Sequence, residues 1–206
     1  MAWILKGLGD ANDDGLVQQM FEERKRVFVD ILGWDVPVLE GRYEVDQFDN
    51  ERAVYLIVDD GHGRHLGSAR LLSTTREHIL GSIFPHLCAG PIPSGDKTLE
   101  ITRFCLSPEV RARERLSARK RLVSALAEYA IRTDVEAFTG VAEKAWFDQI
   151  AAFGWDCRSL GPPEGNANRA LVGLHIDIGP DTISGLRRMG NYAEVQLRNL
   201  DTRLAA

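Results

Sequence analysis

Residues 99–106 read Leu99-Glu100-Ile101-Thr102-Arg103-Phe104-Cys105-Leu106, and the fold turns on how this stretch is understood. The apolar side chains of Leu99, Ile101, Phe104, Cys105 and Leu106 make a run compatible with a strand covered on both faces. In such a strand a carboxylate is costly unless it is paired or opens onto a polar cleft. Glu100 is therefore a candidate general base, with Arg103 close by in sequence. A buried structural ion pair is the competing explanation.

Upstream of this strand, Leu16, Val17, Met20, Phe21, Val27, Phe28, Ile31 and Leu32 recur at helical spacing. They predict one helix over residues 15 to 32, capped by Asp13 or Asp14 and ended by Gly33. Residues 35 to 52 carry turn formers and charges without periodicity, which predicts a long loop bearing Asp46 and Asp49. Residues 53 to 58 and 66 to 72 predict two strands joined by a glycine-rich hairpin turn. Prolines and glycines make residues 76 to 97 a loop, apart from a short helical piece near Ile79.

Downstream, Leu116, Leu122, Val123, Leu126, Tyr129 and Ala130 predict a helix over residues 113 to 132. A strand over 137 to 142, a short amphipathic helix over 144 to 153 closed by Gly154, and a last strand over 171 to 178 follow. The tail from about 181 to 203 is expected to add a further helix. Helix, antiparallel strands, helix, strand, helix and strand in this order predict an α/β fold with a mixed sheet and helices on its faces.

The chain has 206 residues and 44% hydrophobic content, enough for one full core, so a single domain is expected. A net charge of −5 argues against general nucleic-acid binding. Cys88, Cys105 and Cys157 are odd in number, widely separated and free of zinc-ligand spacing, so no metal site is expected and a reducing cytoplasm suits them. No apolar run reaches the length of a signal or membrane segment. Positive charge is concentrated at Arg111, Arg113, Arg115, Arg119, Lys120 and Arg121.

The order and spacing of Arg24, Phe28, Trp34, Asp46, Asp49, Arg70, Phe84, Glu100 and Arg103 closely resembles that of the acyl-homoserine-lactone synthases, the LuxI-type autoinducer synthases. The likeness spans roughly residues 20 to 160. It implies an α-β-α sandwich related to the GCN5-type N-acyltransferases. It also implies a reaction that joins an acyl thioester to the amine of S-adenosylmethionine, closes the lactone and releases methylthioadenosine. S-adenosylmethionine is then a substrate, and no cofactor is implied.

The methionyl amine must lose a proton before it attacks, and Glu100 is the expected base, acting through a water with Arg103 opposing its neutralisation. Arg24, Phe28, Trp34, Asp46, Arg103 and Phe104 are the expected contacts of S-adenosylmethionine, by stacking, cation–π attraction and charge. The resemblance counts Asp46 and Asp49 with Glu100 and Arg103 as catalytic residues, the two aspartates placing negative charge where a cationic substrate sits, and Arg70 reads as a brace. The acyl pocket is expected around Thr139, Val141, Ala142 and Trp146. Arg115, Arg119 and Lys120 are expected to steer an acidic acyl-carrier protein or the phosphates of acyl-coenzyme A. A glycine-rich phosphate loop is missing from residues 111 to 115, which weakens ordinary acetyl-coenzyme A transfer to another amine. The competing functions are that transfer, or a non-catalytic acyl-thioester or nucleotide-binding module.

Overall fold

The computed structural model describes residues 1–9, 14–166 and 169–200. In chain order the elements begin with β1 (Ala2–Lys6), α1 (Gly15–Arg24), a π-helical segment (Lys25–Ile31), β2 (Val38–Leu39), β3 (Tyr43–Glu44), β4 (Val54–Asp59) and β5 (His65–Ser73). Next come α2 (Ile79–Ser82), a 3-10 turn (Pro85–Leu87), β6 (Thr98–Leu106), α3 (Ala112–Arg132), β7 (Ala137–Glu143) and α4 (Lys144–Ala151). The chain closes with β8 (Asp156–Ser159), β9 (Leu171–Asp177), α5 (Thr182–Arg188) and β10 (Leu197–Asn199). Helices and a mixed set of strands make this an α/β fold, as the sequence implied.

The described residues form two compact units, one drawn from 1–70, 103–125 and 193–200, the other from 71–102 and 126–192. In the first, β1 pairs antiparallel with β4, from Ala2 opposite Val58 to Lys6 opposite Val54, and parallel with β10. Asp14 caps α1, its carboxylate accepting from the amides of Leu16 (2.8 Å) and Val17 (3.4 Å). Asp13 lies outside the described residues. Leu16, Val17, Met20 and Phe21 are buried, as their spacing predicts.

The single helix expected to Leu32 is instead α-helical only to Arg24 and π-helical beyond. The wider turn, with the Leu32 amide bonded to the Val27 carbonyl at 3.0 Å, keeps Phe28 buried and turns Ile31 outward to 60% exposure. The expected loop over residues 35 to 52 contains the two-stranded β2–β3 pairing, Val38 opposite Glu44 and Leu39 opposite Tyr43. β1 and β10 were not legible: the first is one short apolar run, the second a three-residue edge strand.

In the second unit β7 pairs parallel with β6 (Thr98 opposite Ala137, Ile101 opposite Gly140) and antiparallel with β9. β8, unpredicted because Asp-Cys-Arg-Ser shows no apolar alternation, pairs with β9. The expected tail helix shrinks to α5; β10 occupies part of its range, and residues 201–203 lie outside the described residues. On α3 the register holds, except that Leu116 is 43% exposed rather than buried.

His65, at the start of β5, is buried with neither ring nitrogen hydrogen-bonded, and burial drives its imidazole down to about 3. Above the ordinary histidine value of 6.5 both folded and unfolded chains carry it neutral. Below that value only the unfolded chain takes up the proton, so stability falls with pH at up to roughly 1.4 kcal/mol per unit. Urea unfolding at pH 7 and pH 5.5 should show this loss in the wild type and a smaller one in His65→Leu; equal slopes would rule out His65 as its source.

Candidate active site

The first unit contains a buried network of arginines 24, 70 and 103 with Glu44, Asp46 and Asp49, equal in opposite charges. Arg24, at the end of α1, gives its Nε to Glu44 (2.6 Å) and its two terminal nitrogens to the two oxygens of Asp49 (2.8 Å each). Arg70 on β5 grips Asp46 through both terminal nitrogens (2.6 and 3.0 Å) and lies 2.8 Å from Asp49. Arg103 bridges Glu44 (2.9 Å) and Asp46 (2.8 Å). Tyr55 donates its hydroxyl to Asp49 at 2.9 Å.

Forked guanidinium–carboxylate pairs fix orientation as well as charge, so the loop after β3 is held at several points. Burial alone would raise the Asp49 carboxyl, but Arg24 and then Arg70 outweigh it and hold it well below the usual carboxylate range. Burial and then the Asp49 charge push the Tyr55 phenol upward. Asp46 and Asp49 therefore neutralise arginines; they do not stand as bare negative charge. Glu44, which joins Arg24 to Arg103, was not singled out from sequence. Its signal is its place two residues before Asp46 in an extended segment, where alternate residues share a face.

Phe28 and Trp34 lie beside this network. Gly33 takes a left-handed backbone (φ +69°) that ends the π-helical segment, and the Trp34 amide then bonds the Phe28 carbonyl at 2.8 Å. This reversal lays the two rings in a stack, 4.8 Å between centroids and 17° between planes. The Arg103 guanidinium stands 5.5 Å from the Phe28 centroid.

Arg103 itself has φ +50°, a strained value for a residue with a side chain. The burial pattern on β6 shows what this does. Glu100 and Thr102 are buried before it, Cys105 and Ser107 after it, so the inward parity slips by one residue at Arg103. Leu99, Ile101, Phe104 and Leu106 are only half-buried, correcting the expectation of an apolar strand covered on both faces.

Glu100 belongs to the second unit. Its side chain is fully buried, and each oxygen accepts a backbone amide of α2, Oε2 from Ile79 and Oε1 from Leu80, both at 2.7 Å. The residue preceding α2, His78, makes no capping bond with its own side chain. A carboxylate from a distant strand thus caps this helix.

The remaining expected site residues fall in different settings. Thr139 is buried and donates its hydroxyl to the Leu174 carbonyl at 2.8 Å; Ala142 is buried and Val141 half-buried. Trp146 on α4 is half-buried and meets Phe153 edge-on at 5.8 Å, and Phe153 in turn packs on Trp155. On α3, Arg115 is exposed and bonds the Ser107 carbonyl (3.0 Å), while Arg119 and Lys120 are half-buried.

A polar groove of about 250 Å³ lined by Glu22, Lys25, Arg26, Asp30, Gly41 and Arg42 has its charges paired, Lys25 with Asp30, Arg42 with Glu22 and Arg26 with Glu23. The three cysteines are free thiols; burial pushes Cys105 up to about 12 and Cys157 to about 11. Among the described residues no cluster of His, Cys, Asp and Glu is arranged to hold a metal, and no helix is long and apolar enough to cross a membrane.

The family model described as "Autoinducer synthase" matches residues 10–184. An acyl-homoserine-lactone synthase from Rhizobium etli is 34% identical over 172 residues, 82% of this chain and 80% of that protein. Among solved structures, the CoA-dependent acyl-homoserine lactone synthase BjaI, with SAM and isopentyl-CoA, aligns at a TM-score of 0.82 and 25% identity, covering 97% of this chain and 93% of that one. An N-acetyltransferase from Lactobacillus plantarum described as putative aligns at 0.58 and 17% identity, covering 86% and 99%, a likeness of fold alone.

Proposed function

The chain belongs to the autoinducer synthase family and is an acyl-homoserine-lactone synthase, and from that premise we propose how its residues divide the work. The amine of S-adenosylmethionine attacks the acyl thioester carbonyl, forming the amide and releasing the thiol. The methionyl carboxylate then displaces sulfur from the γ-carbon, forming the lactone and releasing methylthioadenosine. The second step is an intramolecular displacement whose rate depends on holding carboxylate and γ-carbon in a folded arrangement.

The observation that carries the assignment of roles is Glu100, a buried carboxylate whose two oxygens are aimed by two backbone amides. It takes the proton of the amine, through a water. Phe28 and Trp34 offer a stacked aromatic face to the sulfonium and adenine, with Arg103 and Phe104 as further contacts. Arg24, Arg70, Asp46 and Asp49, with Glu44, hold the loop in place. Thr139, Val141, Ala142 and Trp146 line the acyl pocket, where the tryptophan shortens the available space. That wall and the likeness to a CoA-dependent relative solved with isopentyl-CoA favour a short, branched donor on coenzyme A. The basic face at Arg115, Arg119 and Lys120 serves either that donor's phosphates or an acidic acyl-carrier protein. The protein works in the cytoplasm with no cofactor beyond its substrates.

Incubation with S-adenosylmethionine and matched panels of acyl-CoA and acyl-carrier-protein donors, followed by mass spectrometry, tests this reading. Methylthioadenosine and an acyl-homoserine lactone should appear together, fastest with short branched acyl-CoA. An N-acylated product without methylthioadenosine would contradict the lactonising step. Trp34→Ala should weaken S-adenosylmethionine binding by roughly five- to thirtyfold, the range of one lost cation–π and stacking contact. Calorimetry decides this: unchanged affinity in a folded variant would make the Phe28–Trp34 stack a packing feature.

A further inference from the structure

We propose that His78 is a positioning residue for the Glu100 carboxylate, acting through the Ile79 and Leu80 amides. The inference rests on the reading that Glu100 takes part in the reaction. His78 is 5% exposed and has extended backbone (φ −148°, ψ 165°) immediately before α2. Its Nδ1 lies 2.7 Å from the Arg76 carbonyl. A carbonyl only accepts, so Nδ1 carries the proton and the ring is fixed in that tautomer when neutral. Nε2 is buried without a hydrogen-bond partner, so the ring's place is set by this one bond and by packing.

The packing partner is Gly81, one turn along the same short helix. A Cβ added there would stand 2.6 Å from Cε1 and 2.8 Å from Nε2 of His78. The imidazole therefore fills the space that glycine leaves open, and the Ser82 amide closes the turn onto the His78 carbonyl at 2.9 Å. The two amides that hold the Glu100 oxygens at 2.7 Å belong to Ile79 and Leu80, the residues between His78 and Gly81 in the chain. On this proposal a displaced ring shifts the turn that carries the amides, and a misplacement of about 1 Å can cost on the order of a hundredfold in rate.

Turnover and S-adenosylmethionine KM should be measured for His78→Ala, His78→Gln and Gly81→Ala, each also in the Glu100→Gln background, with thermal melts to confirm folding. His78→Ala and Gly81→Ala should lower kcat by about ten- to a hundredfold while KM stays within about threefold. His78→Gln, which keeps a donor toward the Arg76 carbonyl, should recover much of that loss. In the Glu100→Gln background the same changes should cost no more than about twofold further, since the group they position is gone. Multiplicative losses there would overturn the proposal, as would near-wild-type turnover in folded Gly81→Ala and His78→Ala. Near-wild-type turnover in Glu100→Gln alone would instead remove the premise, and the proposal with it. Should His78→Ala melt below the assay temperature, His78→Gln and Gly81→Ala carry the same comparison.

Discussion

Glu100→Gln is expected to lower lactone synthesis by at least about a hundredfold, measured as methylthioadenosine released per enzyme at saturating substrates. General-base loss ordinarily costs about a hundred- to ten-thousandfold, because the amine then attacks only from its minor unprotonated population. The structure adds a cost in stability. A glutamine keeps one acceptor oxygen for one amide of α2, but its NH2 would face the other amide donor to donor. Leaving one buried amide unpaired costs roughly 1–3 kcal/mol. Thermal melts should therefore fall by a few degrees, and rates must be compared well below the variant's midpoint. A folded variant turning over within about threefold of wild type would refute the base assignment.

How much of this was legible in the sequence depends on what each residue was asked to reveal. Arg24, Asp46, Asp49, Arg70 and Arg103 stand out through the order and spacing that carry the family resemblance, and the structure gathers all of them into one network. Glu44 escaped notice because it sits in a segment that reads as loop, where a glutamate is ordinarily solvated. The environment of Glu100 was expected for the wrong reason. Leu99, Ile101, Phe104 and Leu106 are the half-buried set of β6, and a left-handed residue at Arg103 breaks the period-two pattern that strand reading assumes. The π-helical segment was hidden similarly, since apolar spacing was matched to 3.6 residues per turn. The amides that hold Glu100 were beyond sequence reading altogether, being backbone groups supplied by a four-residue helix far along the chain.

Arg24→Met should destabilise the fold by about 3–5 kcal/mol, the cost of removing one partner from a buried ion pair. For a chain of this size that is a fall in Tm of very roughly 6–20 °C. Arg24 is buried, contacts two carboxylates at once and lies over the Phe21 ring at 4.9 Å, so no other side chain replaces it. Its loss leaves Glu44 to Arg103 alone and Asp49 to Arg70 and Tyr55. Arg24→Lys should fall in between, because one ammonium cannot span both carboxylates. Adding Asp49→Asn to Arg24→Met should cost less than the two changes summed, since the second removes the charge that the first stranded.

The pH dependence follows from the Asp49 carboxyl, which burial would raise but Arg24 and Arg70 hold far below its ordinary value of 3.8. A depressed folded value means the stabilisation is complete above the unfolded value and is lost as pH falls through and below it. The gap in stability between wild type and Arg24→Met should therefore be widest near neutrality and narrow below about pH 4. Urea unfolding at pH 7 and pH 3.5 measures both gaps. A variant that melts within a degree or two of wild type at pH 7, or a gap that does not narrow in acid, would mean that the network orients the loop without contributing to the stability of the fold.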